Sequence, residues 1–145
     1  MSFFKALFGR SAQPTATLPT DAMRKVIRAH AAFADASMLM VQADEHHKDP
    51  AKQKIIALFH YGAIDAYSQM AGLDANATYD LLFAYLSNVS FCADPQAMAA
   101  FVCDASADPK YVDAIRLGGQ TATDFNRGNA VAAGRLHRYL FEMND

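Results

Sequence analysis

Hydrophobic side chains recur along this chain at the 3.6-residue period of an α-helix, and no segment shows the alternation of a strand. The first pattern starts at Thr20 or Asp21, after Pro19, and predicts a long helix that runs to about His47. One face of this helix is apolar and includes Met23, Val26, Ile27, His30, Phe33, Ala34, Met38 and Val41. Its polar residues lie opposite, so we expect the helix to pack on a core through one side.

A second helix, over about 51–71, is apolar around almost its whole circumference. Asp49-Pro50 precedes it. Aspartate at an N-cap accepts a hydrogen bond from a free backbone N–H, and proline fits the first turn because it has no N–H to lose. The apolar positions leave no clear polar face: Ile55, Ile56, Leu58, Phe59, Ile64, Tyr67 and Met70. We therefore place this helix at the centre of a bundle.

Shorter helices follow Gly72. The third is capped by Asp74 or Asn76 and runs to about Val89, and Asp94-Pro95 and Asp108-Pro109 begin the fourth and fifth.

Gly118-Gly119 either interrupts the fifth helix or lets a neighbour approach closely. A turn at Arg127-Gly128-Asn129 precedes a last helix that carries Leu136, Leu140 and Met143. The predicted fold class is all-α: a compact single-domain bundle of five or six helices over residues 21–145, with a short N-terminal helical segment before it.

Residues 1–9 are predicted to form that amphipathic segment, and residues 10–20 a polar linker. The apolar side chains of the segment are Phe3, Phe4, Leu7 and Phe8. They need a partner surface, which could be a groove of the same domain, a second copy, another protein or a bilayer interface. Seven residues make a weak membrane anchor, so we expect docking on this domain or on a second copy.

Composition narrows the class of protein. A chain of 145 residues is long enough for one domain with its own core, and a net charge of −2 argues against a nucleic-acid-binding domain. No apolar run could span a membrane and the start lacks the pattern of a signal peptide, so we expect a cytoplasmic protein without membrane association. Cys92 and Cys103 lie in apolar sequence and are predicted to be buried free thiols.

From Ile55 to Pro109 the chain has no lysine, arginine or glutamate, and its formal charges there are aspartates. Most of these aspartates fit helix starts or outer faces, but Asp65 lies in the middle of the apolar second helix beside His60 and Tyr61. A carboxylate in an apolar setting needs a partner or becomes protonated. Asp65 is then either a pocket acid or ligand anchor, or a core aspartate bonded to Tyr61, a backbone amide or an arginine.

Histidines raise a second possibility for chemistry. His30 lies on the apolar face of the first helix, opposite about Tyr67 if the first two helices pair antiparallel, and the run 44–47 (Asp-Glu-His-His) lies at that helix's end. Neither shows the spacing of a metal-binding motif, and no nucleophile motif or phosphate loop is present. We therefore expect no catalytic residues, no metal and no cofactor.

The sequence thus favours a cytoplasmic binding or adaptor protein, of an accessory or immunity type, that acts through protein–protein contacts and could be a homodimer. An enzyme is not the expected class. The alternative is a small-molecule- or metal-binding helical domain whose site is built on Asp65, His60 and Tyr61, with His30 from the neighbouring helix. The candidate interaction residues are Phe3, Phe4, Leu7 and Phe8.

Overall fold

A computed structural model describes residues 19–143, and these residues form an all-α bundle. The predicted fold class is confirmed: the described part contains six α-helices and no strand. They are α1 (Asp21–Ala43), α2 (Pro50–Met70), α3 (Ala75–Ser87), α4 (Pro95–Ala105), α5 (Pro109–Asn126) and α6 (Arg135–Glu142), with 3₁₀ turns at His46–Lys48 and Ala130–Gly134. The predicted segment 1–9 and linker residues 10–18 lie outside the described residues.

The aspartate–proline pairs start three helices as predicted. The Asp49 carboxylate accepts a hydrogen bond from the backbone N–H of Ala51 at 2.9 Å, and Asp94 and Asp108 cap α4 and α5 in the same way. Each cap satisfies a backbone donor that the helix itself leaves free. These three boundaries therefore follow from local sequence alone.

The predicted end of the first helix is wrong. α1 stops at Ala43 and not at about His47, because Glu45 has a left-handed backbone with φ of 59° that an α-helix cannot contain. A short 3₁₀ turn follows at His46–Lys48. Because α1 ends about four residues earlier than predicted, the turn between α1 and α2 lies earlier in the chain. Different residues of the two helices therefore face each other.

The central position of α2 is confirmed. Residues 55–60 are all buried, and α2 packs against α1, α3, α4 and α5. Its closest neighbour is α5, which runs unbroken through Gly118-Gly119. A Cβ built on Gly62 would lie 1.9 Å from the Ile115 carbonyl oxygen, and one built on Gly118 would lie 1.8 Å from that of Phe59. Gly62 of α2 and Gly118 of α5 are therefore the positions at which the two helix backbones approach each other closely.

The cysteines agree with the sequence prediction only in part. Both thiols are free, and Cys92 is buried, but Cys103 is exposed near the end of α4. Apolar neighbours in sequence misled the prediction, since Val102 and Ala105 take the buried face of that helix. Within residues 19–143 no helix has the length and apolar character needed to cross a membrane.

Candidate functional site

A groove runs along the bundle surface between α1 and α3. It consists of two cavities of about 330 and 400 Å³ that share five lining residues, Ala34, Asp35, Tyr85, Asn88 and Val89. The groove extends along α1 from Val26 to Gln42, a helical distance of roughly 24 Å at 1.5 Å per residue. Leu39, which lines its far end, is 68% exposed. This surface is therefore long and open, apolar in the half beside His30 and mixed in the half beside Gln42.

Two buried histidines lie under the groove. His30 of α1 and His60 of α2 are hydrogen-bonded, with 3.0 Å between Nε2 of His30 and Nδ1 of His60. His30 is 5% exposed and His60 is fully buried. Since one ring donates and the other accepts, both tautomer arrangements leave Nε2 of His60 buried without a partner among the described residues.

Burial keeps this pair neutral. It lowers the pKa of His30 to about 3, because the apolar surroundings disfavour the charged imidazolium. The pKa of His60 is also lowered, first by burial and then by the neighbouring His30. A neutral imidazole can donate through one nitrogen and accept through the other, so the pair can hydrogen-bond without carrying charge.

Tyr85 of α3 packs against both histidines and, like His30, lines the groove. Its ring centroid lies 4.7 Å from that of His30 and 4.9 Å from that of His60, and the side chain lines both cavities. The pKa of its hydroxyl is raised, first by burial and then by the charges of Asp35 and Cys92. The groove floor therefore offers neutral groups, and Asp35 supplies a carboxylate on the rim.

The predicted site around Asp65 does not form one cluster. His60 and His30 are hydrogen-bonded, as described above. The predicted alignment of α1 with α2 placed His30 opposite Tyr67, and it is wrong because His30 contacts His60. Asp65 lies toward α5 instead, partly exposed, in a cavity that also includes Arg116 and Arg127. The prediction of an apolar setting for this carboxylate is wrong, because α2 turns that position toward the α5 surface.

Asp65 finds its hydrogen-bond donor on its own helix. Nε2 of Gln69 donates to the carboxylate at 2.8 Å, whereas the predicted partners were Tyr61, a backbone amide or an arginine. Tyr61, one turn before Asp65, is half-buried on the side facing Cys103 of α4. The pKa of the Tyr61 hydroxyl is raised by burial first, then by Asp65 and Cys103.

The four predicted interaction residues belong to the N-terminal segment. Phe3, Phe4, Leu7 and Phe8 lie outside the described residues. Tyr85 and Asp35 were not singled out in the sequence, because a tyrosine in an apolar helix and an aspartate on a polar face are ordinary features of a bundle. The available signal was His30, a polar residue on an apolar face.

One group of side chains has the geometry of metal ligands. Asp44, His46 and His137 each offer one ligand atom, and these three atoms lie within 4.8 Å of one another. Asp44 and His46 follow α1, whereas His137 comes from α6 near the other end of the chain.

Comparisons with protein-family models, with curated proteins and with solved structures find no match to this chain. The fold and the geometry of these surfaces therefore carry the functional argument.

Proposed function

We propose that this chain is a binding protein of the accessory or adaptor type that acts through protein–protein contacts, with the α1–α3 groove as its binding surface. The single observation that carries the proposal is the continuity of the groove over roughly 24 Å. That length is about four helical turns and exceeds what a small ligand fills. A groove with an apolar floor and a polar rim is a typical receptor for an amphipathic helix.

The occupant we propose is the N-terminal segment, residues 1–9, of a second copy, which as a helix of roughly 13 Å would fill about half of the groove. The segment supplies Phe3, Phe4, Leu7 and Phe8 on one predicted face, and it carries Lys5. The groove complements it, because its lining includes the carboxylate of Asp35 and no lysine or arginine. Exposed Leu39 gives the contact further apolar area.

A reciprocal exchange of segments would give a two-fold dimer, since each copy has one groove and one segment. Two contacts form together in such a dimer, so each can be weak on its own. The first test is therefore the mass of the full-length chain by sedimentation over a range of concentrations. We expect a dimer that dissociates on dilution, and a monomer at every concentration would overturn the proposal.

Variants on each side of the contact sharpen the test. Ala34→Trp fills the groove, whereas Phe3→Ser with Phe4→Ser, Leu7→Ser and Phe8→Ser removes the occupant. We expect both to be monomers at concentrations where the unaltered chain is a dimer. Ala36→Trp, at an exposed position of the same helix outside the groove lining, is the matched control and keeps the dimer.

Mixing the two monomeric variants tests which chain supplies the segment. The quadruple variant has an open groove and Ala34→Trp has an intact segment, so one of the two contacts can form between them. We expect a weak heterodimer in the mixture, whereas a segment bound within its own chain would give none and would contradict the dimer.

A second candidate function is the binding of a small apolar molecule. The observation that favours it is the 330 Å³ cavity, which lies at the lower end of ligand-pocket sizes and has His30 and Tyr85 in its lining. A small apolar dye that binds the quadruple serine variant at one site, and does not bind Ala34→Trp, would support it. Binding unchanged by Ala34→Trp would remove it.

A further inference from the structure

The corner where α1 ends brings together residues from two distant parts of the chain. Oδ2 of Asp44 lies 2.6 Å from Nε2 of His137, and the ring centroids of His46 and His137 are 5.4 Å apart. The left-handed backbone of Glu45 produces this arrangement, because it turns the chain between Asp44 and His46. The cluster therefore depends on the tertiary fold, and the sequence run 44–47 alone gives no sign of it.

We propose that Asp44, His46 and His137 form a binding site for Zn²⁺. Two imidazole nitrogens and one carboxylate oxygen suit this borderline-soft ion, which takes three protein ligands and a water in sites with an open position. The ligand atoms now lie within 4.8 Å of one another. A tetrahedral zinc site with bonds of about 2.0–2.2 Å needs separations of roughly 3.4 Å, so side-chain shifts of about 1 Å would complete it.

One ring nitrogen of His46 has no partner. Its Nε2 is buried and has no hydrogen-bond partner among the described residues, and it carries the ring proton while Lys52 donates to Nδ1.

Lys52 opposes the metal and so provides a sharp test. Its Nζ lies 3.0 Å from Nδ1 of His46, where the ammonium group occupies the lone pair of that nitrogen. A bound cation would compete with this ammonium or be repelled by it. Removing the positive charge should therefore strengthen zinc binding, an effect that a purely structural role of the cluster does not predict.

Bound zinc would tie α6 to the end of α1. α6 has only eight residues and carries no side-chain cap at its start. A ligand that binds the folded state alone raises the free energy of unfolding, and above its Kd the gain grows with the logarithm of the ligand concentration. We therefore expect zinc to raise the thermal midpoint of the full-length chain.

The experiment is titration of zinc chloride into the untagged full-length chain, stripped with a chelator and carrying Cys103→Ser to remove the exposed thiol. We expect one equivalent to bind, with at least about tenfold weaker affinity in His137→Gln and in Asp44→Asn. Lys52→Met should bind severalfold tighter. His47→Gln, next to His46 but outside the cluster, is the matched control and should bind as the parent does.

Cobalt gives an independent readout, since four-coordinate Co²⁺ absorbs visible light in a way that hexaaqua Co²⁺ does not. Circular dichroism without metal checks that each variant is folded, and His46→Gln replaces any that is not. The proposal is overturned if zinc does not bind, if His137→Gln and Asp44→Asn bind it as well as the parent, or if Lys52→Met weakens binding.

Discussion

On one side of α2 the neighbouring helix α5 comes into backbone contact, whereas on the other side α1 and α3 leave a groove above it. The closed side is built from glycines: Gly62 and Gly118 each face a carbonyl oxygen of the opposite helix. The open side is built from rings, with His30, His60 and Tyr85 in mutual contact. Small side chains bring helices together, and large ones hold them apart.

The two sides also differ in polarity. At the glycine crossing, helix backbones whose polar groups are already hydrogen-bonded within each helix approach directly. Below the groove, the His30–His60 hydrogen bond leaves one buried ring nitrogen unpaired among the described residues. An unpaired buried polar atom costs about 1–3 kcal/mol. The closed side carries the same kind of cost at Thr121 of α5, whose hydroxyl oxygen is also buried without a partner among the described residues.

The largest expected effect is at the glycine crossing. Gly118→Ala places a methyl group 1.8 Å from the Phe59 carbonyl oxygen, so the two helices must separate. Alanine favours helix formation, but the added methyl group would clash with backbone atoms, which cannot move aside as a flexible side chain can. We therefore expect a loss of at least about 3 kcal/mol in the free energy of unfolding. Urea unfolding followed by circular dichroism measures it.

Two other glycines serve as controls for this change. A Cβ on Gly119 would lie 3.3 Å from the Gly62 carbonyl oxygen, and one on Gly134 would meet nothing within 4 Å. We expect Gly119→Ala to cost clearly less than Gly118→Ala, and Gly134→Ala to change stability by under about 1 kcal/mol. Equal costs at Gly118 and Gly134 would show that α2 and α5 are not in contact.

The next effect is the pH dependence that the open side should impose. His30 and His60 are neutral when folded but titrate near 6.5 when unfolded, so below that pH the unfolded chain binds more protons. Stability is therefore full above pH 6.5 and falls as the pH drops toward the folded pKa of His30, about 3. Between about pH 8 and about pH 5.5 each histidine should remove about 1.4 kcal/mol.

A double variant isolates the pair from other titrating groups. His30→Leu with His60→Leu should flatten the pH dependence of the unfolding free energy over that range, whatever its effect at neutral pH. Ala36→Leu, at an exposed position of α1 that carries no titratable group, should keep the slope of the unaltered chain. If the double variant keeps that slope as well, the two rings are not buried and neutral in the folded state.

Local signals in the sequence predicted the helix starts and the central helix. The Asp49-Pro50 pair starts its helix through a hydrogen bond between Asp49 and Ala51, which are close in sequence. Residues 55–60 are apolar on all sides of the helix, so they are buried whichever neighbours the helix packs against. Gly118 was identified as a break or a close approach. Which helix approaches it depends on the packing of distant segments, so Gly62 could not be chosen as its counterpart.

The site was less predictable because it depends on register. The left-handed Glu45 ends α1 early, and this shift sets His30 against His60 where the sequence suggested Tyr67. Asp65 was chosen as a candidate because its surroundings in sequence contain few other charged residues. In the fold its carboxylate lies at the α5 surface and accepts a hydrogen bond from Gln69. His137 is far from Asp44 in sequence, and no local pattern joins them.

The smallest expected effect tests whether the groove is open. Ala34→Leu adds three carbon atoms to a side chain that lines both cavities, whereas Gly118→Ala adds only one at the closed side. Because the added atoms enter the groove and cover its apolar floor, we expect the free energy of unfolding to stay level or rise by up to about 1 kcal/mol when the change is made in the quadruple serine variant, whose groove has no occupant. Thermal and urea unfolding check this against Ala36→Leu, the exposed control on α1. A loss above about 2 kcal/mol at position 34 alone would mean that this side is packed as tightly as the glycine crossing, and that no helix could dock there.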